Sequence, residues 1–115
     1  MYRNQNFAAQ TLTDAGTVEL NASDFIEDDF EGTVIFLATG TKTTGTFSAS
    51  AQLQGSNDNV TFVDEGSPVV MADTVPAAIK LAGTILYYAY YKVVITGAGT
   101  QSTEIVGNYT SKRRN

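Results

Sequence analysis

Between residues 46 and 54 the even positions Thr46, Ser48, Ser50, Gln52 and Gln54 are polar and the odd positions Phe47, Ala49, Ala51 and Leu53 are apolar. A period of two marks a strand with one wet and one buried face. Gly55-Ser56-Asn57-Asp58-Asn59 then supplies turn chemistry, and Val60-Thr61-Phe62-Val63 follows, with Val60 and Phe62 expected to point inward. The two runs read as a hairpin.

Further strands are expected over Phe7–Thr13, Thr17–Leu20, Thr33–Thr39, Ile85–Thr96 and Thr103–Thr110. Between them stand Asp14-Ala15-Gly16, Gly40-Thr41-Lys42 and Gly97-Ala98-Gly99-Thr100, which read as turns. The stretch Thr33–Thr39 is apolar on both faces and is placed centrally. Residues 64–83 hold both prolines and read as a long connection crossing between sheets, with one short strand around Ala77–Leu81. Over residues 22–31, Phe25, Ile26 and Phe30 approximate helical spacing behind Ser23 or Asp24, which predicts a single helical turn. The expected architecture is all-β: one antiparallel β-sandwich of jelly-roll or Ig-like type, with about seven or eight short strands. It covers residues 1–115, with flexible ends at 1–6 and 112–115.

Composition supports strands, since sixteen residues are Thr and twelve are Tyr or Phe. It also removes chemistry. With no Cys and no His, a disulfide, a thiolate or imidazole zinc site, a Cys nucleophile and a His general base are all excluded. Carboxylate pairs such as Asp28 with Asp29, or Asp64 with Glu65, are adjacent in sequence and diverge, so no glycosidase pair is read from them. The expectation is no catalytic residue, no metal, no cofactor and no enzyme activity. The longest apolar run, Ile85–Tyr91, is too short for a membrane-spanning helix. The first twenty residues contain no secretory signal pattern, so synthesis in a cytoplasm is expected.

Charge is segregated. Five of the twelve acidic residues (Asp24, Glu27, Asp28, Asp29, Glu31) fall within eight positions, while Lys112, Arg113 and Arg114 cluster near the end. Residues 1–111 hold four basic against twelve acidic residues, a balance that repels phosphate and argues against nucleic acid. The acidic run lacks the spacing of a calcium loop and reads first as a solvated surface. The asymmetry also suggests that the basic tail of one copy (Lys112, Arg113, Arg114) docks on the acidic run (Asp28, Asp29) of a neighbour.

In Ile85–Thr96 the odd face is apolar throughout, and the even face carries Leu86, Tyr88, Tyr90, Lys92, Val94 and Thr96. Three readings stand for that even face: a central strand covered by the chain's own loop 64–83, a subunit interface, or a platform on which sugars stack. Tyr88, Tyr90 and Lys92 are the interface candidates.

Gln52-Leu53-Gln54-Gly55-Ser56-Asn57-Asp58-Asn59-Val60-Thr61-Phe62-Val63-Asp64 resembles a hairpin of small β-sandwich structural proteins in tailed bacteriophage virions. Tyr90-Tyr91-Lys92-Val93-Val94-Ile95-Thr96-Gly97, followed by Gly99-Thr100, is similar to a strand that closes such domains. Asn59 stands where Gly is usual and Phe62 where Trp is usual, which removes the best sugar-stacking ring. The resemblance implies a virion component, a capsid decoration or cement protein or another small head protein, made in the host cytoplasm. It implies partners among the virion proteins, the major capsid protein first, and a homo-oligomer with a trimer favoured. The alternative is a carbohydrate-binding sandwich that recognises host surface glycans.

Overall fold

The computed structural model of the chain describes residues 2–21, 30–80 and 90–113, with side chains over 4–21, 35–80 and 90–110. Ten strands follow in order: β1 (Tyr2–Asn6), β2 (Gln10–Thr13), β3 (Thr17–Asn21), β4 (Phe30–Gly45), β5 (Ala49–Ser56), β6 (Val63–Asp64), β7 (Val69–Met71), β8 (Ala77–Lys80), β9 (Tyr90–Gly97) and β10 (Gln101–Arg113). There is no helix among the described residues. Two antiparallel sheets pack as a sandwich. Sheet A has the order β1-β10-β4-β8, with β2 also paired to β10, and sheet B has the order β3-β9-β5-β6, with β7 also paired to β5.

The alternation of side chains puts Phe36, Ala38, Ile79, Ile105 and Tyr109 of sheet A against Val18, Leu20, Ala51, Leu53, Tyr91, Val93 and Ile95 of sheet B, all buried. Each large apolar side chain removed from water in this way contributes about 1.5–3 kcal/mol. Phe7, Phe36 and Tyr109 form an aromatic cluster, with ring centroids 5.5–6.2 Å apart.

Several sequence expectations change. The stretch Phe7–Thr13 is not one strand: β1 ends at Asn6, Phe7 turns inward to the aromatic cluster, and β2 resumes at Gln10. Residues 2–6, expected as a loose end, pair in register with Asn108–Lys112. The expected turn at Gly40-Thr41-Lys42 is continuous strand within β4. Its glycine answers a packing need, because a Cβ at Gly40 would stand 2.9 Å from the Phe47 ring. Asp73 and Thr74 cap the β4 edge there, Lys42 N donating to Asp73 Oδ1 (3.0 Å) and Thr74 N to Gly40 O (2.8 Å). The 64–83 connection does cross between sheets, carrying β7 in sheet B and β8 in sheet A. The helical turn expected at 22–31 falls mostly outside the described residues, and its last two residues open β4.

Gly97–Thr100 is not a hairpin turn, since β9 and β10 lie in different sheets. It is one of three corners at the same end, with 14–16 and 45–48, and all three are joined through Gln101. The side chain of Gln101 is buried, and its Nε2 donates to Ser48 O (2.7 Å), Ala98 O (2.9 Å) and Asp14 O (3.4 Å). Its Oε1 accepts from Thr103 Oγ1 (2.8 Å), and its backbone N donates to Asp14 Oδ1 (2.9 Å). Gly45, at φ +78°, makes the tight corner that brings β4 to this junction. A buried amide with its polar atoms partnered fixes the corners to one another.

Candidate functional site

The outer face of sheet B holds the residues that sequence reading singled out. On β9, Tyr90, Lys92 and Val94 are half-buried and Thr96 is exposed. Lys92 Nζ donates to Glu19 Oε2 on β3 at 3.1 Å and sits 4.1 Å from the centroid of the Phe62 ring. The Lys92 side chain is 13% exposed, against 51% for Glu19. Phe62 therefore lies outside the sandwich as a lid on a cation, not in the core as its spacing suggested. Gln52 on β5 holds the next stretch of chain: its Nε2 donates to Glu65 O (3.3 Å) and Gly66 O (3.2 Å) as well as to Leu53 O (2.9 Å). Gln54 Nε2 donates to Asp64 Oδ1 at 2.9 Å. The chain's own 62–66 segment dresses this face at Lys92, Gln52 and Gln54, while Thr96 and Val70 stay exposed.

The turn at 56–61 explains why the expected strand Val60–Val63 shortens to Val63–Asp64. Ser56 Oγ accepts from Asp58 N (3.2 Å) and Asn59 N (2.9 Å) and donates to Asp58 Oδ1 (2.9 Å). Asp58 Oδ1 also accepts from Val60 N (2.9 Å) and Thr61 N (2.8 Å). These bonds wrap the chain tightly and leave Val60 81% exposed. The Thr61 and Val60 amides, then the Ser56 hydroxyl, hold the Asp58 carboxyl down at about 2, against an ordinary 3.8. Asn59 takes φ +60°, where the related hairpins carry Gly, and Asn tolerates that conformation best after Gly. The motif is a folded turn whose acid serves its own backbone.

Of the charge clusters, Lys112 and Arg113 lie in β10, their backbones opposite Tyr2 and Phe30. Phe30 lies within the acidic run, between Asp29 and Glu31, so the backbone of the basic segment pairs beside the end of that run within one copy. Asp28, Asp29, Arg114 and Tyr88 lie outside the described residues.

Sheet A presents a different outer face, which sequence reading passed over. Its central rows, set by the β4–β10 register, are Thr41 with Glu104, Thr39 with Val106, Leu37 with Asn108 and Ile35 with Thr110. Ala78 flanks Leu37 and Lys80 flanks Ile35 on β8, while Asn6 and Asn4 flank Asn108 and Thr110 on β1. Leu37 and Val106 are each 41% exposed. Between them runs a shallow groove of about 450 Å³, walled by Phe7 and Pro76. The signal for this face is the run Thr33–Thr39, apolar on both faces and placed centrally. β4 is central, yet its outer side carries no covering layer among the described residues.

Chemically the described surface offers contact more than reaction. No group of three or more His, Cys, Asp or Glu that could hold a metal ion occurs among the described residues. The carboxylates of Glu19, Asp58, Asp64 and Asp73 each serve an in-chain partner.

No family model matches the chain, and no curated protein sequence matches it. Among solved structures, a chain of the Bacillus endospore appendages, described as a novel family of disulfide-linked pili, superposes with a TM-score of 0.49 at 14% identity. The match covers 99% of this chain and 89% of that one. At that score the likeness carries no argument about what this chain does, and this chain contains no Cys.

Proposed function

We propose that the chain is a non-enzymatic structural protein of a virus particle: a capsid decoration protein or another small head protein of a tailed bacteriophage. It binds shell subunits and copies of itself through its strand surface. The observation that carries this reading is the bare outer face of sheet A. Leu37 and Val106 stand exposed there among Thr and Asn, with no covering layer among the described residues. The resemblance of residues 52–64 and 90–100 to virion sandwiches supports the class of particle. The work is mechanical: a rigid two-sheet body bridges neighbouring subunits and offsets loosening of the shell. Tyr88, Tyr90 and the basic residues Lys112, Arg113 and Arg114 extend the contact surface in this reading.

Co-sedimentation of the purified chain with empty shells tests it. Saturable binding at a fixed copy number per shell is expected. A chain that never travels with shells, and is absent from purified particles, would overturn the reading.

A further inference from the structure

We propose that the outer face of sheet A packs against the same face of a second copy about a two-fold axis, which passes between the Leu37 and Val106 rows. The proposal rests on the structural role above and specifies its self-contact. The face has four central outward rows, and their contents are ordered. Glu104 marks the first row and Lys80 the last, both exposed and without an ion-pair partner among the described residues. Leu37 and Val106 occupy the two middle rows, and every other named position of these four rows is uncharged.

A two-fold axis lying in the face, across the strands and midway between the middle rows, exchanges first row with last and second with third. Leu37 of one copy then lies over the Val106 row of the other, and Glu104 lies over the end that carries Lys80. Lys80 is two strands from Glu104 across the sheet, about 10 Å. Both side chains are long and point into the gap between the faces, so their charged ends can approach across that offset. A two-fold axis along the strands would instead lay the Glu104 end over the Glu104 end and the Lys80 end over the Lys80 end. The chain carries a net charge of −5, so self-association requires a face where the negative charge is absent or answered, and this face meets that condition.

The contact is modest. Strands about 4.8 Å apart and rows about 3.3 Å per residue give a face of about 400 Å² in projection. That places the pair at the small, reversible end of interface sizes, strengthened where many copies are held on one particle.

The test is sedimentation velocity of the full chain over a concentration series, with circular dichroism to confirm folding of each variant. A monomer–dimer equilibrium is expected. Leu37→Asp, at a part-exposed position, should weaken it at least tenfold while the chain stays folded. Glu104→Lys and Lys80→Glu should each weaken it several-fold, and the double variant should recover most of the loss. A strict monomer across the series, a trimer, or a dimer indifferent to Leu37→Asp overturns the proposal. A monomer that still binds shells removes the two-fold contact and leaves the structural role standing, whereas a dimer that never binds shells does the opposite.

Discussion

The two outer faces of this sandwich are built from the same kinds of residue and end in different states. On sheet B the one cation, Lys92, is paired with Glu19 and roofed by Phe62, the amide of Gln52 draws residues 65 and 66 onto the sheet, and the exposed apolar side chains, Val63 and Val70, stand on the short edge strands β6 and β7 rather than at its centre. On sheet A the charges stand at the two ends of the face, and the middle is left to Leu37 and Val106. A face whose polar groups find partners in their own chain has little left to offer another molecule. A face with exposed apolar groups and uncommitted charges keeps its contacts for a partner, because burying that surface still gains free energy.

The comparison requires that both faces belong to one cooperative body. Phe36→Ala under sheet A and Tyr91→Ala under sheet B should therefore each cost about 3–5 kcal/mol, in a single urea transition. Two separable transitions would break the comparison, since the faces would then belong to independently stable layers. The next largest effect falls at the corners. Gln101→Leu leaves Ser48 O with the Ala98 amide alone, removes the side-chain donor to Ala98 O and the acceptor of the buried Thr103 hydroxyl, and should cost about 2–3 kcal/mol. A near-neutral result would mean that the corners are held by backbone alone.

The faces themselves separate in a crossed experiment. Lys92→Gln should lower stability by about 1 kcal/mol, through the lost ion pair and ring contact, and leave self-association unchanged. Leu37→Asp should cost about 1 kcal/mol of stability, since Asp suits a strand poorly, and abolish most association. If Lys92→Gln reduces association instead, the assignment of inward-serving and outward-serving faces is reversed.

The smallest effect is a local one at the turn beside sheet B. The Asp58 carboxyl is lowered in the folded chain from 3.8 to about 2, so the stability it confers is present above about pH 4 and is lost as the pH falls through 2. Side-chain carboxyl titration by NMR should show a midpoint near 2, with the Val60 and Thr61 amide shifts following it. A midpoint near 3.8 would show that the turn is held without Asp58.

The sandwich was legible in the sequence where one face met the core and the other met water: the alternation before Gln54 and the odd positions of β9 are local statements of burial. Three features were not legible, for a common reason. Gly40 signals a turn locally and is strand because Phe47 packs on it. Phe62 has the spacing of a core residue and instead lies across Lys92. The exposure of Leu37 follows from which strands lie beyond β4, not from the run that contains it. Each depends on a contact between residues distant in the chain, or on the lack of one. The candidate residues Tyr90 and Lys92 were found because aromatic and basic residues on a strand announce themselves. The sheet A face was missed because its composition, Thr, Asn, Leu and Val, is that of any strand.

The pairing of β1 with β10 places Tyr2 directly opposite Lys112, both at the same end of an antiparallel ladder. Tension applied at those two residues would open that ladder one rung at a time, as a zipper opens, without ever loading its hydrogen bonds together in shear. A body gripped at those two residues yields easily to tension. It is well suited to carry load across its broad faces, where the whole stack of both sheets is compressed at once.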